Sequence, residues 1–468
     1  MKAYKYEVFT SLIEAQIRSR ILVKGQKLPS IRDIKNKYSL STSSVQNGFE
    51  YLMIHGLVES RPRSGYFVAY APENNSIQRK THLIPVVRDP GFARNVMFTS
   101  AISKNSESGS FNTAAPGDLL VPQKLILRTM QEVIREKGAA LLRYYPSDGL
   151  PELKKQIAVD SGLNPDQIII TDGALQAMTI ALSTVTIPGD IVAVESPCVF
   201  SVLEVLAGLG LKIMEVPVHY ENGFDTEFLK KICDEHNIRA VVVTPNFHNP
   251  TGIVMSDEAK KELTAIAFTY NIPVIENDIY GDLYFSGKRP ATISCFDDSG
   301  LVMTVSSFSK TLAPGIRLGW LYAGRFYSQA ERSRFVLGRS VSPVYQELML
   351  KLLQKGRYER HLRPFRNQLK RQAIEVLAAL YRYFPEDSYF HSPLGGYSIW
   401  GRLPEEVDAE AFFEYCGKNG IWFAPGSTFS LTDTYRQHFR IIFADRITTE
   451  SFILLEKAGK KSKELLSR

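Results

Sequence analysis

Fifteen residues near the middle of the 468-residue chain, Ser306 to Trp320, bring a lysine, three serines and an arginine into a spacing suited to imine chemistry. The run Leu301 to Val305 just before them reads as a short buried strand. Lys310 therefore falls past a strand's carboxyl end, where open α/β sheets hold ligands. A lysine amine condenses with an aldehyde, and Ser307, Ser309 and Arg317 together offer hydrogen bonds and positive charge to a phosphate. The set fits a phosphorylated aldehyde cofactor. Upstream, Val274 to Tyr280 is again an apolar strand running into polar groups: Asp278 can pair with a pyridinium nitrogen and keep the ring an electron sink, and Tyr280 can reach a ring hydroxyl. Further upstream, Val241 to Pro245 leads into the turn Asn246 to Gly252, whose Asn249 can donate to the same hydroxyl.

The turn Asn249-Pro250-Thr251-Gly252, the pair Asp278-x-Tyr280 and the stretch Ser307-x-Ser309-Lys310-x-x-x-Pro314-Gly315-x-Arg317 resemble the fold-type I, class I/II aminotransferases that use pyridoxal 5'-phosphate. The resemblance spans about residues 113 to 468. It implies that Lys310 carries the cofactor as an imine, that Asp278 holds the pyridine nitrogen, and that Tyr280 and Asn249 contact the ring oxygen. Ser307, Ser309 and Arg317 take the phosphate, helped by the helix start at Gly173, Ala174 and Leu175. Arg440 matches the arginine that receives the substrate carboxylate, a bidentate task suited to a planar guanidinium. Tyr144 matches a residue that reaches the neighbouring subunit's phosphate, which implies a homodimer. The residue that stacks on the ring is open between Val199, at the family's position, and Phe200. Ser307-x-x-Lys310 also spells the signature of penicillin-binding acyl transferases, but no Ser-Asp-Asn or Lys-Thr-Gly follows, and that chemistry leaves Asp278 and Asn249 without a task.

These residues need a sheet to hold them. Strand runs at 167–171, 191–195, 212–216, 240–245, 272–277 and 301–305 alternate with helical patterns, which argues a mainly parallel sheet between helices. Beyond about residue 330, helical stretches at 343–354 and 358–383 precede strand signals at 396–401 and 438–443, the makings of a smaller C-terminal α+β subdomain. Residues 71–112, polar and broken by prolines, read as a linker whose islands Leu83-Ile84 and Val86-Val87 can dock locally.

The start of the chain is a different unit. Residues 1–70 hold eleven Lys/Arg against five Asp/Glu, most of the chain's formal +7, and such a basic small domain suits a polyanion. Tyr6, Phe9, Leu12, Ile13, Ile17 and Ile21 recur at helical spacing; Ser30 caps a second helix, Ser41 a third, and two short strands enclose the turn Arg61-Pro62-Arg63-Ser64. This run resembles the winged helix-turn-helix of the GntR family. The resemblance implies binding to double-stranded DNA, with Arg32 on the backbone, Gln46 and Asn47 on the recognition helix, and Arg63 with Gly65 in the wing. Thr42 follows Ser41 where the family has arginine, a departure that bears on the sequence read.

The expected architecture is thus a winged helix-turn-helix (1–70), a linker (71–112) and an α/β fold-type I aminotransferase-like domain (113–468) whose small subdomain begins near 330. Together the two resemblances match the MocR-type regulators. They imply a DNA-binding regulator that senses an amino acid or amine through an external aldimine at the Lys310 site. The other reading, from a different class, is a working aminotransferase that carries a DNA reader. Four scattered cysteines and eight histidines without ligand spacing suggest no disulfide framework and no metal. The absence of an apolar run of membrane length points to the cytoplasm.

Overall fold

Apolar side chains three and four residues apart fold the first unit. Phe9, Ile13 and Ile17 of helix α1 (Glu7–Arg18) pack on Val45, Phe49 and Leu52 of helix α3 (Thr42–Ile54), with helix α2 (Ile31–Tyr38) between them in the chain. The protein is seen in a computed structural model that describes residues 7–18, 22, 24–69, 83–90, 111–445 and 447–466. Tyr6 and Ile21, at the edges of the expected first helix, lie outside these, as do 71–82 and 91–110 of the expected linker. Ser30 and Asp33 form a reciprocal capping box at α2, and Ser41 Oγ accepts from Ser44 N at α3, so the N–H groups left over at each helix start find partners. Strands β1 (Val58–Arg61) and β2 (Gly65–Val68) pair antiparallel as the wing, and Tyr66 stacks on Phe49 at 3.9 Å.

Residues 83–90 run against the large domain: Arg88 and Ile213 exchange backbone hydrogen bonds, and Val87 packs beneath, while Ile84 stays exposed.

The large domain is built on an eight-stranded sheet. Its spatial order is β3 (Ile168–Thr171), β10 (Gly319–Tyr322), β9 (Val302–Ser307), β8 (Val274–Asn277), β7 (Ile238–Val243), β4 (Ile191–Ser196), β5 (Lys212–His219), β6 (Gly223–Phe224). From β9 to β5 neighbours are parallel; β10 runs against both of its neighbours, and β6 against β5. Side chains of the parallel strands alternate between two cores. Val192 and Val194 join helices Ala174–Val185 and Phe200–Gly208, whereas Ala193 joins helices Thr226–Glu235 and Asp257–Tyr270. Burial on both faces is why these strands read as continuous apolar runs.

The small subdomain has four antiparallel strands in the order β11 (Tyr389–Phe390), β12 (Ser398–Arg402), β14 (His438–Ile442), β13 (Ala424–Pro425). Its core is shared with the 27-residue helix Arg357–Tyr383, called here the long helix, and with helix Thr449–Leu466. The N-terminal unit rests on the long helix and on the turn that follows it. Lys370 Nζ meets Glu50 of α3 at 2.5 Å, Lys24 Nζ meets Glu386 at 2.5 Å, and the Tyr381 ring lies beneath Gly56.

Candidate active site

The site is assembled where β9, β8, β7 and β3 end, and β10 closes its phosphate side. Because β10 pairs with both β3 and β9, Gly319 stands opposite Thr171 on one side and Ser307 on the other. The loop before β10 is thereby folded onto the loop after β3. Arg317, left-handed at φ 50°, donates from Nη2 to Asp172 O at 3.0 Å, and its guanidinium lies against Gly173. Ser309 N donates to Ser307 Oγ at 3.1 Å, and Ser307 Oγ donates to Leu318 O at 3.0 Å with Ser309 Oγ also at 3.0 Å.

A phosphorylated ring fits these residues. Gly173 has φ 89°, and a Cβ there would lie 2.9 Å from Arg317 Nη2. The missing side chain leaves a cradle formed by the guanidinium, two serine hydroxyls and the start of helix Ala174–Val185, which has no side-chain cap. Helix N-termini of this kind suit a phosphate dianion.

Lys310 is enclosed. Its Nζ donates to Ala114 O at 2.5 Å, and Tyr397 OH donates to its carbonyl. Burial, then the cations of Arg440 and Arg317, push the ammonium down to about 8, so a neutral nucleophilic amine is present near physiological pH. Asp278 is fixed from three sides: Asn246 Nδ2 donates to Oδ1 at 2.8 Å, Arg289 holds Oδ2, and its backbone N–H donates to Val305 O. Asn249 Nδ2 donates to Tyr280 OH at 3.3 Å, and burial pushes the Tyr280 phenol above its ordinary range.

Arg440 is 1% exposed and, among the described residues, donates to the neutral acceptors Asn249 Oδ1 at 2.9 Å and Asn112 O, while its Nε finds no partner there. Burial lowers its pKa to about 10. A buried guanidinium without a carboxylate among the described residues is a site for an anion.

The structure therefore brings together Gly173, Ala174, Leu175, Asn249, Asp278, Tyr280, Ser307, Ser309, Lys310, Arg317 and Arg440. Tyr144 lies apart from them: its ring is 71% exposed and carries the Arg339 guanidinium at 4.4 Å. Val199 is buried at the start of helix Phe200–Gly208, and Phe200 packs toward Trp400 and Phe429 of the small subdomain. Three partners were not foreseen from sequence: Asn246 and Arg289 on Asp278, and the strap of Asn112 and Ala114 whose carbonyls cover Arg440 and Lys310. Asn246 stood in a turn already singled out; Arg289 and the carbonyls carry no motif.

The family Aminotransferase class I and II matches residues 115–456, and the bacterial regulatory gntR family matches residues 5–68. The chain is 32% identical to the uncharacterized HTH-type transcriptional regulator YjiR of Escherichia coli, over 93% of this chain and 94% of that protein. It belongs to the MocR-type family. Identity to a second such Escherichia coli regulator, YdcR, is 32% with the same coverage. The solved Pyrococcus horikoshii kynurenine aminotransferase superposes with a TM-score of 0.74 at 26% identity, over 80% of this chain and 95% of that one. The cofactor of this MocR-type chain is pyridoxal 5'-phosphate.

In the described residues no helix is long and apolar enough to cross a membrane. The five DNA-facing candidates Arg32, Gln46, Asn47, Arg63 and Gly65 are all exposed, the first on α2, the next two on α3 and the last two at the wing tip.

Proposed function

We propose that the chain is a transcriptional regulator that binds double-stranded DNA through its winged helix-turn-helix and senses an α-amino acid at the pyridoxal phosphate site. Bound there, the cofactor supplies an aldehyde that condenses with amines on a ring that withdraws electrons. Lys310 holds that aldehyde until a ligand amine competes for it. Asp278, oriented by Asn246 and Arg289, carries negative charge to the ring nitrogen. Ser307, Ser309, Arg317 and the 173–175 helix start hold the phosphate, and Tyr280 with Asn249 serves the ring oxygen. Arg440 is the observation that carries the choice of an amino acid over a simple amine: a buried cation whose Nε and charge find no partner among the described residues favours a ligand carboxylate.

Two copies acting together fit the exposed apolar side chains of residues 138–144 and 335–337. Leu142 is 89% and Val336 83% exposed, and the two segments approach where Arg339 covers Tyr144. Exposed side chains of this kind, grouped, are those a second copy covers.

Spectral titration of the holoprotein with a panel of amino acids, followed by operator affinity with each responding ligand, tests the reading. A ligand that perturbs the cofactor spectrum is expected to change operator affinity, and Arg440→Ala is expected to need a much higher concentration of it. Operator affinity indifferent to every responding ligand, with keto acid accumulating over many turnovers, gives the protein to the aminotransferase reading instead.

A further inference from the structure

The long helix carries seven Lys/Arg and two Glu between Arg357 and Tyr383. Four of the cations have assignments. Arg357 is tied to Glu132, Arg366 forks onto Glu359, Lys370 pairs with Glu50, and the Arg382 guanidinium lies over the Tyr383 ring.

Arg360, Arg363 and Arg371 are different. All three are exposed, and with Asn367 they recur every three or four residues along one face. Among the described residues Arg360 donates to the carbonyls of Gly356 and Lys355, and Arg371 to Gln368 Oε1. Arg363 meets a carboxylate only at 3.8 Å, and that carboxylate, Glu359, is already taken by Arg366. At 1.5 Å per residue the row from Arg360 to Arg371 is about 16 Å long.

The row ends at the DNA reader. Arg371, Asn367 and Lys370 form one wall of a cleft whose other wall is Asn47 and Glu50 of α3. Asn47 lies on the helix expected to read bases, so a duplex that reaches Asn47 meets the end of the row. Nucleic acid offers one phosphate charge per about 1.7 Å of axis, which gives a 16 Å row of guanidinium groups many acceptors.

We propose that this row is a second DNA contact, on the effector domain, continuous with the reading helix and gripping the phosphate backbone beside the site that α3 reads. The inference rests on the DNA-binding reading above. It makes the duplex a ligand of both domains at once, so the footprint extends past the segment covered by the winged helix-turn-helix. The row adds affinity without sequence preference, because phosphates carry no sequence information.

The test uses the full holoprotein and a random-sequence duplex of about 40 base pairs, long enough to span both contacts. R360Q/R363Q/R371Q is compared with the wild type, with R63Q in the wing, and with K230Q/K231Q/K261Q, which removes three exposed charges from two other helices. With folding checked by thermal unfolding and cofactor absorbance, the arginine triple is expected to flatten the slope of log K against log salt by about 2 to 3, near 0.9 for each phosphate no longer neutralised. At low salt its affinity is expected to fall at least about tenfold. The lysine triple is expected to leave the slope as in the wild type. Equal effects of the two triples reduce the row to a solvated face and overturn the proposal. A gain in affinity overturns it the other way, since the row then obstructs the reader. If R63Q also leaves binding untouched, the DNA-binding assignment of the reader has failed, a separate result.

Discussion

Lys310 has to be a neutral amine to react, and its surroundings decide at what pH that happens. Burial, Arg440 and Arg317 all penalise the ammonium and bring it from 10.5 to about 8. Cofactor capture by apoprotein, followed by absorbance, is expected to speed up as pH rises through about 8 and then level off. Arg440→Ala removes one of the two repelling cations, so the ammonium becomes easier to hold and the midpoint should move upward. A midpoint that stays or falls would mean that Arg440 does not act on Lys310. Borohydride treatment of the loaded protein is expected to add the cofactor's mass at Lys310 alone, and mass spectrometry of Lys310→Ala should show no adduct. Individual residues of this site were legible in sequence because each follows an apolar run that must be a buried strand, so Asp278 and Lys310 declare both their chemistry and their place. Arg289 was not legible. A single arginine in a loop looks solvated, and only the fold returns it to Asp278 eleven residues back. The carbonyls of Asn112 and Ala114 have no side-chain signature at all.

Strand β10 is the element that joins the phosphate loop to the lysine loop, and its packing leaves no room at Gly319. A Cβ there would lie 2.7 Å from the Gly173 carbonyl carbon and from Ser306 O, both backbone atoms that cannot swing aside. Gly319→Ala is expected to cost about 1–3 kcal/mol in denaturant unfolding, the usual penalty for overpacking. It should also weaken cofactor binding, because the displaced backbone is the cradle itself. Gly315→Ala faces open space and serves as the control that keeps both properties. The parallel strands could be anticipated from their apolar runs, and helix Pro343–Gln354 forms over the residues its pattern marks. The reversed direction of β10 could not be anticipated. Four residues, Gly319 to Tyr322, read equally well as a continuation of the lysine loop, and strand direction is fixed by partners more than a hundred residues away in one case. The charge on the long helix was hidden for another reason. Counting charge by segment assigned the surplus to residues 1–70, since acidic residues elsewhere in the large domain cancel it in the sum while leaving one helix face basic.

At the scale of the molecule, the same long helix touches both sites. Tyr358 OH in its first turn donates to Thr311 Oγ1 at 2.7 Å, and His361 Nε2 lies 2.9 Å from Thr311 O, one residue beyond Lys310. Farther along, Lys370 meets Glu50 on the reading helix. A change at the lysine loop therefore has a contiguous element to act on. Tyr358→Phe is expected to retain cofactor and operator binding but to shrink the ratio of operator affinities with and without amino acid. Coupling of the usual size, about 1–3 kcal/mol, makes that ratio about 5 to 150 in the wild type. An unchanged ratio removes Tyr358 from the route.

The strap over the site has a consequence in plain lengths of chain. Phe111 is stitched between Trp422 and Ile442 by backbone hydrogen bonds, and Asn112 and Ala114 then close over Arg440 and Lys310. These residues follow directly on the stretch that joins the reader to the effector domain. A ligand carboxylate on Arg440 competes with the Asn112 carbonyl for the guanidinium N–H, and whatever takes up the Lys310 amine removes the donor to the Ala114 carbonyl. Phe111 lies on the linker side of both residues and keeps its two backbone bonds, so a ligand that frees only residues 112 to 114 uncovers the site without adding chain length between the two domains.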